Sequence, residues 1–372
     1  MCPRSAHPDR LEPVEAILLV GGQGTRLRPL TISTPKPLLP TAGVPFLAHQ
    51  LAKASAAGVT RVVLATSYRA AMFADCLGDG SAFGLEIVYV QEDPPLGTGG
   101  AIRNAARALR GDPGSPVLVL NGDVLSGHDL TAQLDLHSKT EAAVTLHLVE
   151  VADPARFGCV PTDADGRVTA FLEKTANPVT SQINAGCYVF RRDVIDRIPP
   201  DQVISVERET FPALIAAGAV VMGYLDSSYW LDVGTPEAFV RGSCDLVLGR
   251  LASPALAPFR GVPGEKLLLD GAQVDPGARV GGGTVVGAGS VIGAGAEVEA
   301  SVLFDGVRIG AGARVSASVL GSGATIGESA VLDAAVIGDE ARVASGNELR
   351  AGVRVWPGVD LGPTSIRFST DV

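Results

Sequence analysis

From Val274 an aliphatic residue returns at every sixth position, at Val280, Val286, Ile292 and Val298. Small residues keep a second phase at Ala278, Thr284, Ser290 and Ala296. The period breaks and then resumes at Ile309/Val315 and at Ile337/Val343. Six residues make one flat side of a triangular coil: the aliphatic residue fills the interior and the small residue permits a tight corner. Glycine-rich loop sequence would not hold such a phase. The pattern predicts a hexapeptide-repeat β-helix over residues 266–372.

The chain before it is patterned differently. From residue 14 to about 250, short apolar runs alternate with helical patterns. Strands are expected at 16–20, 61–65, 85–90, 116–120, 142–149, 167–172, 184–190 and 219–225. Helices are expected at 46–57, 98–110, 128–137, 207–216 and 236–248, with Gly58 ending one and Pro236 in the first turn of another. Alternating βα units imply a mainly parallel, Rossmann-like sheet with helices on both faces. Ligands of such sheets bind outside the carboxyl ends of the strands. Between the two patterns, "LASPALAPFRGVPGE" (251–265) has no period and several prolines, so it reads as a linker. Residues 1–13 read as a disordered tail.

Composition narrows the function. The net charge of −10 argues against general nucleic-acid binding, which needs a basic surface. The five cysteines are scattered without a CxxC pair, which disfavours a zinc site or disulfide framework and fits a reducing, cytoplasmic compartment. The N-terminus has no apolar core of a signal peptide. The apolar stretch 214–225 is too short to span a bilayer.

The stretch "EAILLVGGQGTRLRPL" (15–30) raises the question of ligand. A buried strand runs into Gly21, Gly22 and Gly24, which free the backbone for a close approach, and Arg26 and Arg28 follow. The ligand expected there is an anion. The turn is not a dinucleotide fingerprint, because the third glycine would fall on Leu27, and no GK[ST] makes it a Walker loop. Downstream, "TPKPLLP" holds Lys36 between two prolines, on a stiff segment.

These features resemble the nucleotide-sugar pyrophosphorylases, the sugar-1-phosphate nucleotidylyltransferases. The matching motifs are Gly21–Thr31, Pro35–Pro40, "EDPPLGTGGAI" (92–102), "NGDVL" (121–125), "FGCV" (157–160), "FLEK" (171–174), "INAGCYVF" (183–190), "SVERETFP" (205–212) and "WLDVGTP" (230–236). Within the family the chain is most similar to the mannose-1-phosphate guanylyltransferases that carry a C-terminal left-handed β-helix. The resemblance implies attack of mannose 1-phosphate on the α-phosphorus of GTP, with Mg²⁺, giving GDP-mannose and pyrophosphate. Both reactants are anions, so the protein has mainly to position them and neutralise charge.

By that resemblance Arg26 holds the β- and γ-phosphates, Lys36 stabilises charge at the α-phosphate, and Asp123 is catalytic through the metal it shares with Asp232. The backbone of Gly21, Gly22, Gly24 and Thr25 cradles phosphate oxygens. Glu92, Gly97 and Thr98 are nucleotide contacts. Gly158, Glu173, Lys174, Asn184, Gly186 and Glu207 line the sugar-phosphate site. Taken alone, Asp123 could be an ordinary Asn-Gly-Asp turn, Asp232 a helix cap, and Glu207 a residue in the first turn of a helix. The β-helix is expected to join subunits into a homo-oligomer.

Other readings make distinct predictions. Other pairs remain open: glucose 1-phosphate or a cyclitol phosphate with ATP, UTP or dTTP. A repeat-borne acyltransferase would use a histidine within the repeats, yet all five histidines precede them. A non-catalytic nucleotide-sugar sensor would have lost part of the set Arg26, Lys36, Asp123, Lys174 and Asp232.

Overall fold

The computed structural model describes residues 14–67, 69–173, 177–259 and 261–367. The expected tail, 1–13, and Lys174 lie outside these residues. In chain order the first elements are β1 (Val14–Leu19), β2 (Pro40–Thr41), β3 (Val44–Pro45), α1 (Phe46–Ala56), β4 (Val59–Thr66), α2 (Ala70–Leu77) and β5 (Glu86–Gln91). Then come α3 (Gly97–Ala105), β6 (Pro116–Asn121), β7 (Val124–Ser126), α4 (Leu130–Lys139), β8 (Val144–Glu150) and β9 (Gln182–Arg191). This part closes with α5 (Arg192–Asp196), α6 (Phe211–Ala216), β10 (Val221–Leu225), β11 (Trp230–Asp232) and α7 (Pro236–Val247). No helix among the described residues is long and apolar enough to cross a membrane.

The chain divides into two compact units. The first takes the described residues up to Gly21, Ala54–Gly122 and His128–Ser227. Its seven-stranded sheet has the order β10-β8-β9-β6-β1-β4-β5. The pairs β10–β8, β6–β1, β1–β4 and β4–β5 are parallel, and only β9 runs against its neighbours. The expected mainly parallel sheet is therefore present. Alternation along each strand gives it two buried faces. Ile17, Val63, Val117 and Val119 pack with Ile102, Ala105, Ile195 and Phe211 of α3, α5 and α6. The intervening Ala16, Leu18, Val62, Leu64 and Leu118 are equally buried.

Local expectations need three corrections. Residues 167–172 form no strand, only isolated bridges at Arg167, Val168 and Leu172. The helix expected over 207–216 starts as a π turn at Val206–Thr210. That expected over 98–110 ends at Ala105 and tightens into a 3₁₀ turn. The bridges of 167–172 go to three separate residues, Met222, Thr162 and Cys159, so no ladder forms; Thr98 binds Glu207 in the π turn, and Arg61 donates to the Ala108 carbonyl in the 3₁₀ turn.

The second unit takes Gly22–Lys53, Asp123–Gly127 and the described residues from Ser228 onward. Three parallel sheets of six, six and five strands run through residues 266–361. They are the sides of the β-helix. Val280, Val286, Ile292 and Val298 are buried within it, stacked with Leu303, Ile309, Val315 and Ile326 of later coils. Burying each such side chain contributes about 1.5–3 kcal/mol. The coil is not a uniform repeat of eighteen. Val280 faces Val298, but Val285 faces Val302, seventeen residues on. One corner is shortened by a residue in left-handed conformation, Ala300, Ala317 and Ala334 in successive coils. Beneath it a ladder of buried hydroxyls climbs the helix: the Ser301 amide donates to Thr284 Oγ1 (3.2 Å), Ser318 to Ser301 Oγ (3.1 Å) and Ala335 to Ser318 Oγ (2.9 Å). The small-residue phase thus satisfies corner amides as well as saving space.

Residues 251–265 carry a 3₁₀ turn at Pro254–Leu256, and Leu251 and Leu256 are buried in an apolar cluster of this unit. The same cluster holds Phe239 and Val240 of α7 and Val285, Val302 and Val319 of the β-helix.

Candidate active site

In the second unit the glycine turn leads into a 3₁₀ turn, Thr25–Leu27, then another at Lys36–Leu38. Gly24 has φ +61°, and a Cβ there would lie 3.0 Å from Lys36 Cβ and 3.1 Å from Thr31 Cγ2. Both its backbone angle and its neighbours demand glycine. Thr31 Oγ1 donates to the Gly24 carbonyl at 2.8 Å, which fixes the turn. Gly22 has open space around it, and Thr25 and Arg26 are exposed.

Lys36 is buried, with only 8% of its surface exposed, and its Nζ lies 3.1 Å from Asp123 Oδ2. A buried ammonium needs a counter-charge. The flanking prolines hold it where Asp123 supplies one. The Asp123 side chain is 41% exposed, so the same carboxylate also faces outward. It begins the segment of β7, which pairs antiparallel with β11, Asp232 opposite Val124. The Val233 amide donates to the Asp123 carbonyl at 2.9 Å. From α1, Gln50 Nε2 and Lys53 Nζ donate to the Val124 and Ser126 carbonyls at 2.8 and 2.7 Å. Asp232 does not cap a helix. That place belongs to Thr235, whose Oγ1 accepts from the Ala238 amide, with Pro236 at the first helical position. At Gly234 a Cβ would meet the Arg26 guanidinium at 2.7 Å, so the missing side chain makes room for that cation.

In the first unit the other predicted residues form two groups at the carboxyl ends of the strands. Gly21 accepts at its carbonyl from Ser67 Oγ (2.6 Å). Glu92 is buried, and its Oε2 accepts from the Leu96 amide at 3.0 Å. Burial pushes its carboxyl up, and the Leu96 N–H partly offsets this. Gly97 has φ +70°, and a Cβ there would be 2.7 Å from the Ile204 carbonyl. Thr98 Oγ1 donates to Glu207 Oε2 at 2.8 Å and accepts from the Val206 amide at 3.0 Å. Ser205 Oγ also donates to Glu207 Oε2. Glu207 therefore binds Thr98 as well as lying in the first turn of its helix.

In the second group, Asn184 Nδ2 donates to the Tyr188 hydroxyl at 2.8 Å, and its Oδ1 accepts from the Gly186 amide at 3.1 Å. A bulge opposite His147, between the Leu146–Tyr188 and Leu148–Asn184 pairs, turns this segment. Gly186 has φ +77° and packs on Asn121. Tyr188 is fully buried, which raises its phenol, with the charge of Glu207 second. Gly158 has φ +82° in the turn after a short 3₁₀ helix. Glu173 follows Leu172, which bridges to Cys159.

Residues 15–247 match the nucleotidyl transferase family, and residues 262–358 match the GMPPB C-terminal domain. The chain belongs to the nucleotidyl transferase family. This nucleotidyl transferase is 58% identical over 360 residues to the mannose-1-phosphate guanylyltransferase of Mycobacterium tuberculosis, covering 96% of its own length and 99% of that protein. It is 38% identical over 266 residues to the mannose-1-phosphate guanylyltransferase catalytic subunit beta of Drosophila pseudoobscura pseudoobscura, covering 70% and 71%. Among solved structures, HddC from Yersinia pseudotuberculosis superposes with a TM-score of 0.53 at 30% identity, over 62% of this chain and 97% of that one. HddC has also been solved complexed with GMP-PN.

The donor set of the nucleotidyl transferase suits a hard divalent cation. Asp123 immediately precedes β7 and Asp232 ends β11, which pairs with it, and Mg²⁺ takes one or two carboxylates together with substrate phosphates and water. No group of three or more His, Cys, Asp or Glu able to hold a metal occurs among the described residues. Sequence reasoning missed Gly234 as the place of Arg26, the Thr98–Glu207 bond and the Tyr188 phenol beneath Asn184. Only the glycine two positions after Asp232 was a legible signal.

Two buried imidazoles set an acid limit. His49 bonds Ser253 Oγ and the Thr41 carbonyl, and burial lowers its pKa to about 4, the Thr41 bond opposing. His137 is lowered to about 4 by burial and then by Arg191. The folded rings stay neutral where the unfolded chain protonates, so their stability is full above about pH 6.5 and lost as pH falls toward 4. We expect the melting temperature to be flat from about pH 8 to 7 and to drop between about 6 and 4, less steeply in His49→Gln. An unchanged slope in that variant would remove His49 from this account.

Proposed function

We propose that this chain transfers GMP from GTP to mannose 1-phosphate, forming GDP-mannose and releasing pyrophosphate. The observation that carries the reaction class is the buried Lys36 held against Asp123, beside the strand that ends in Asp232. The relatives named guanylyltransferase support the substrates.

In this reading Arg26, at Gly234, binds the β- and γ-phosphates and the departing pyrophosphate. Backbone amides of Gly21, Gly22, Gly24 and Thr25 donate to the same oxygens. Lys36 bridges to the α-phosphate and stabilises the charge that grows there. Asp123 and Asp232 would hold Mg²⁺, which when bound neutralises phosphate charge and orients the α-phosphate. Glu92, Gly97 and Thr98 contact the nucleotide. Gly158, Glu173, Lys174, Asn184, Gly186 and Glu207 bind the sugar phosphate and direct its oxygen in line. The enzyme is a cytoplasmic homo-oligomer joined through the β-helix. The four described cysteines are unbridged, as a reducing compartment leaves them.

The test is pyrophosphate release with Mg²⁺ across GTP, ATP, UTP, CTP and dTTP, each with several sugar 1-phosphates. We expect release with GTP and mannose 1-phosphate, at a kcat/KM at least about a hundredfold above other pairs. A different preferred pair would keep the residue roles and replace the product. Absence of release with every pair, in folded protein, would favour a sensor.

A further inference from the structure

The loop that carries Arg26 and Lys36 is laid on one outer side of the β-helix. On that side Val285, Val302, Val319 and Val336 stand in register, one per coil, pointing out. They share an apolar cluster with Leu27, Leu30 and Leu39 of the loop, and with Leu125 and Val233. Leu27 adjoins Arg26, Leu125 is two residues from Asp123, and Val233 adjoins Asp232. The residues assigned to phosphate and metal are thus anchored through their neighbours to the same valines.

The next place in that column breaks the pattern. Opposite Val336 stands Arg354, where the repeat would put another valine. Its Nη1 donates to the Arg28 carbonyl at 2.7 Å. At a corner of the preceding coil, Asp339 Oδ2 accepts from Ser33 Oγ at 2.8 Å. Its Oδ1 accepts from the Ser322 amide, which fixes the carboxylate to the coil below. Two polar clasps therefore hold the ends of Arg28–Ser33, and the Arg28 amide in turn donates to Thr25 in the turn that bears Arg26. Both clasps are exposed, and contacts of that kind add little to global stability. What they fix is local: where the loop lies.

We propose that Arg354 and Asp339 of the β-helix are positioning residues for the nucleotide-phosphate loop, acting on Arg26 through the Arg28–Ser33 backbone. This rests on the reading that Arg26 handles nucleotide phosphates. The β-helix is then part of the catalytic apparatus, and a change in its last coils reaches nucleotide binding.

The test is steady-state pyrophosphate release by the full chain carrying Ser33→Ala, Arg354→Ala or both, with GTP and mannose 1-phosphate varied separately. In the double variant we expect the KM for GTP to rise about three- to tenfold, with kcat and the KM for the sugar phosphate within about twofold. Arg354→Lys should recover part of the loss, because an ammonium still donates to a carbonyl. Arg308→Ala, exposed on another side of the β-helix, should match the parent. An unchanged KM for GTP in the double variant overturns the proposal. So does an equal rise in both KM values with a lowered melting temperature, which would mark general damage. Arg26→Ala in the same assay separates the two readings. If it cripples GTP use while the double variant is inert, only the clasp is wrong. If Arg26→Ala is itself inert, the phosphate assignment fails and the clasp falls with it.

Discussion

Asp123→Asn is expected to leave a folded protein whose turnover is lower by at least about a thousandfold. The change removes one charge and almost no volume. An asparagine oxygen can still accept from Lys36 Nζ, which lies 3.1 Å from the present carboxylate. The ammonium keeps a hydrogen bond but loses the counter-charge its burial calls for, and with the Asp123 side chain 41% exposed water screens part of that loss, so the cost to folding should be about 1–3 kcal/mol. Catalysis loses more, because two functions rest on the charge. It fixes the ammonium of a buried lysine, and it is one of the two carboxylates proposed for Mg²⁺. Among the described residues the carboxylate within ion-pair distance of Lys36 is that of Asp123, so both functions are lost together. Pyrophosphate release measured beside thermal unfolding checks the result. Turnover within tenfold of the parent, at any stability, would remove Asp123 from the chemistry.

Gly287→Ala is expected to destabilise the second unit by at least about 3 kcal/mol. A Cβ there would lie 2.3 Å from both the carbonyl carbon and oxygen of Phe304 and 2.6 Å from the Asp305 nitrogen. Those atoms are backbone of the next coil. They are held by parallel ladder bonds and cannot turn aside as a side-chain tip could. Phe304 also meets Phe239 of α7 edge-on, at 6.3 Å between centroids, inside the cluster that supports Leu27 and Val233. Activity should therefore fall with stability. Gly289→Ala is the matched comparison: φ is +65° there but nothing lies within 4 Å, so only backbone strain of about 1 kcal/mol is added. Urea unfolding of the two variants decides. Equal stability would mean that coil spacing is not what requires glycine at 287.

The sequence by itself determined the β-helix and the alternating sheet, because both are written in neighbouring residues. The interior column Val280, Val286, Ile292 and Val298 is a period along the chain, and β1 and β4 carry unbroken apolar runs, as strands of a sheet buried on both faces do. It also supplied the chemistry of the site: a lysine between prolines, a glycine turn with arginines, and carboxylates at strand ends. Tertiary structure alone decided what these groups meet. β7 and β11 are three residues each, too short to show a period, and they exist because they pair with each other across the chain. Residues 167–172 had a strand's composition but found no continuous partner. Lys36 and Asp123 are 87 positions apart, Ser33 and Asp339 306 apart. No local pattern encodes such a contact. It arises when buried valines on one side of the β-helix and leucines of the glycine loop leave water together, and that energy depends on the assembled surface rather than on any stretch of sequence.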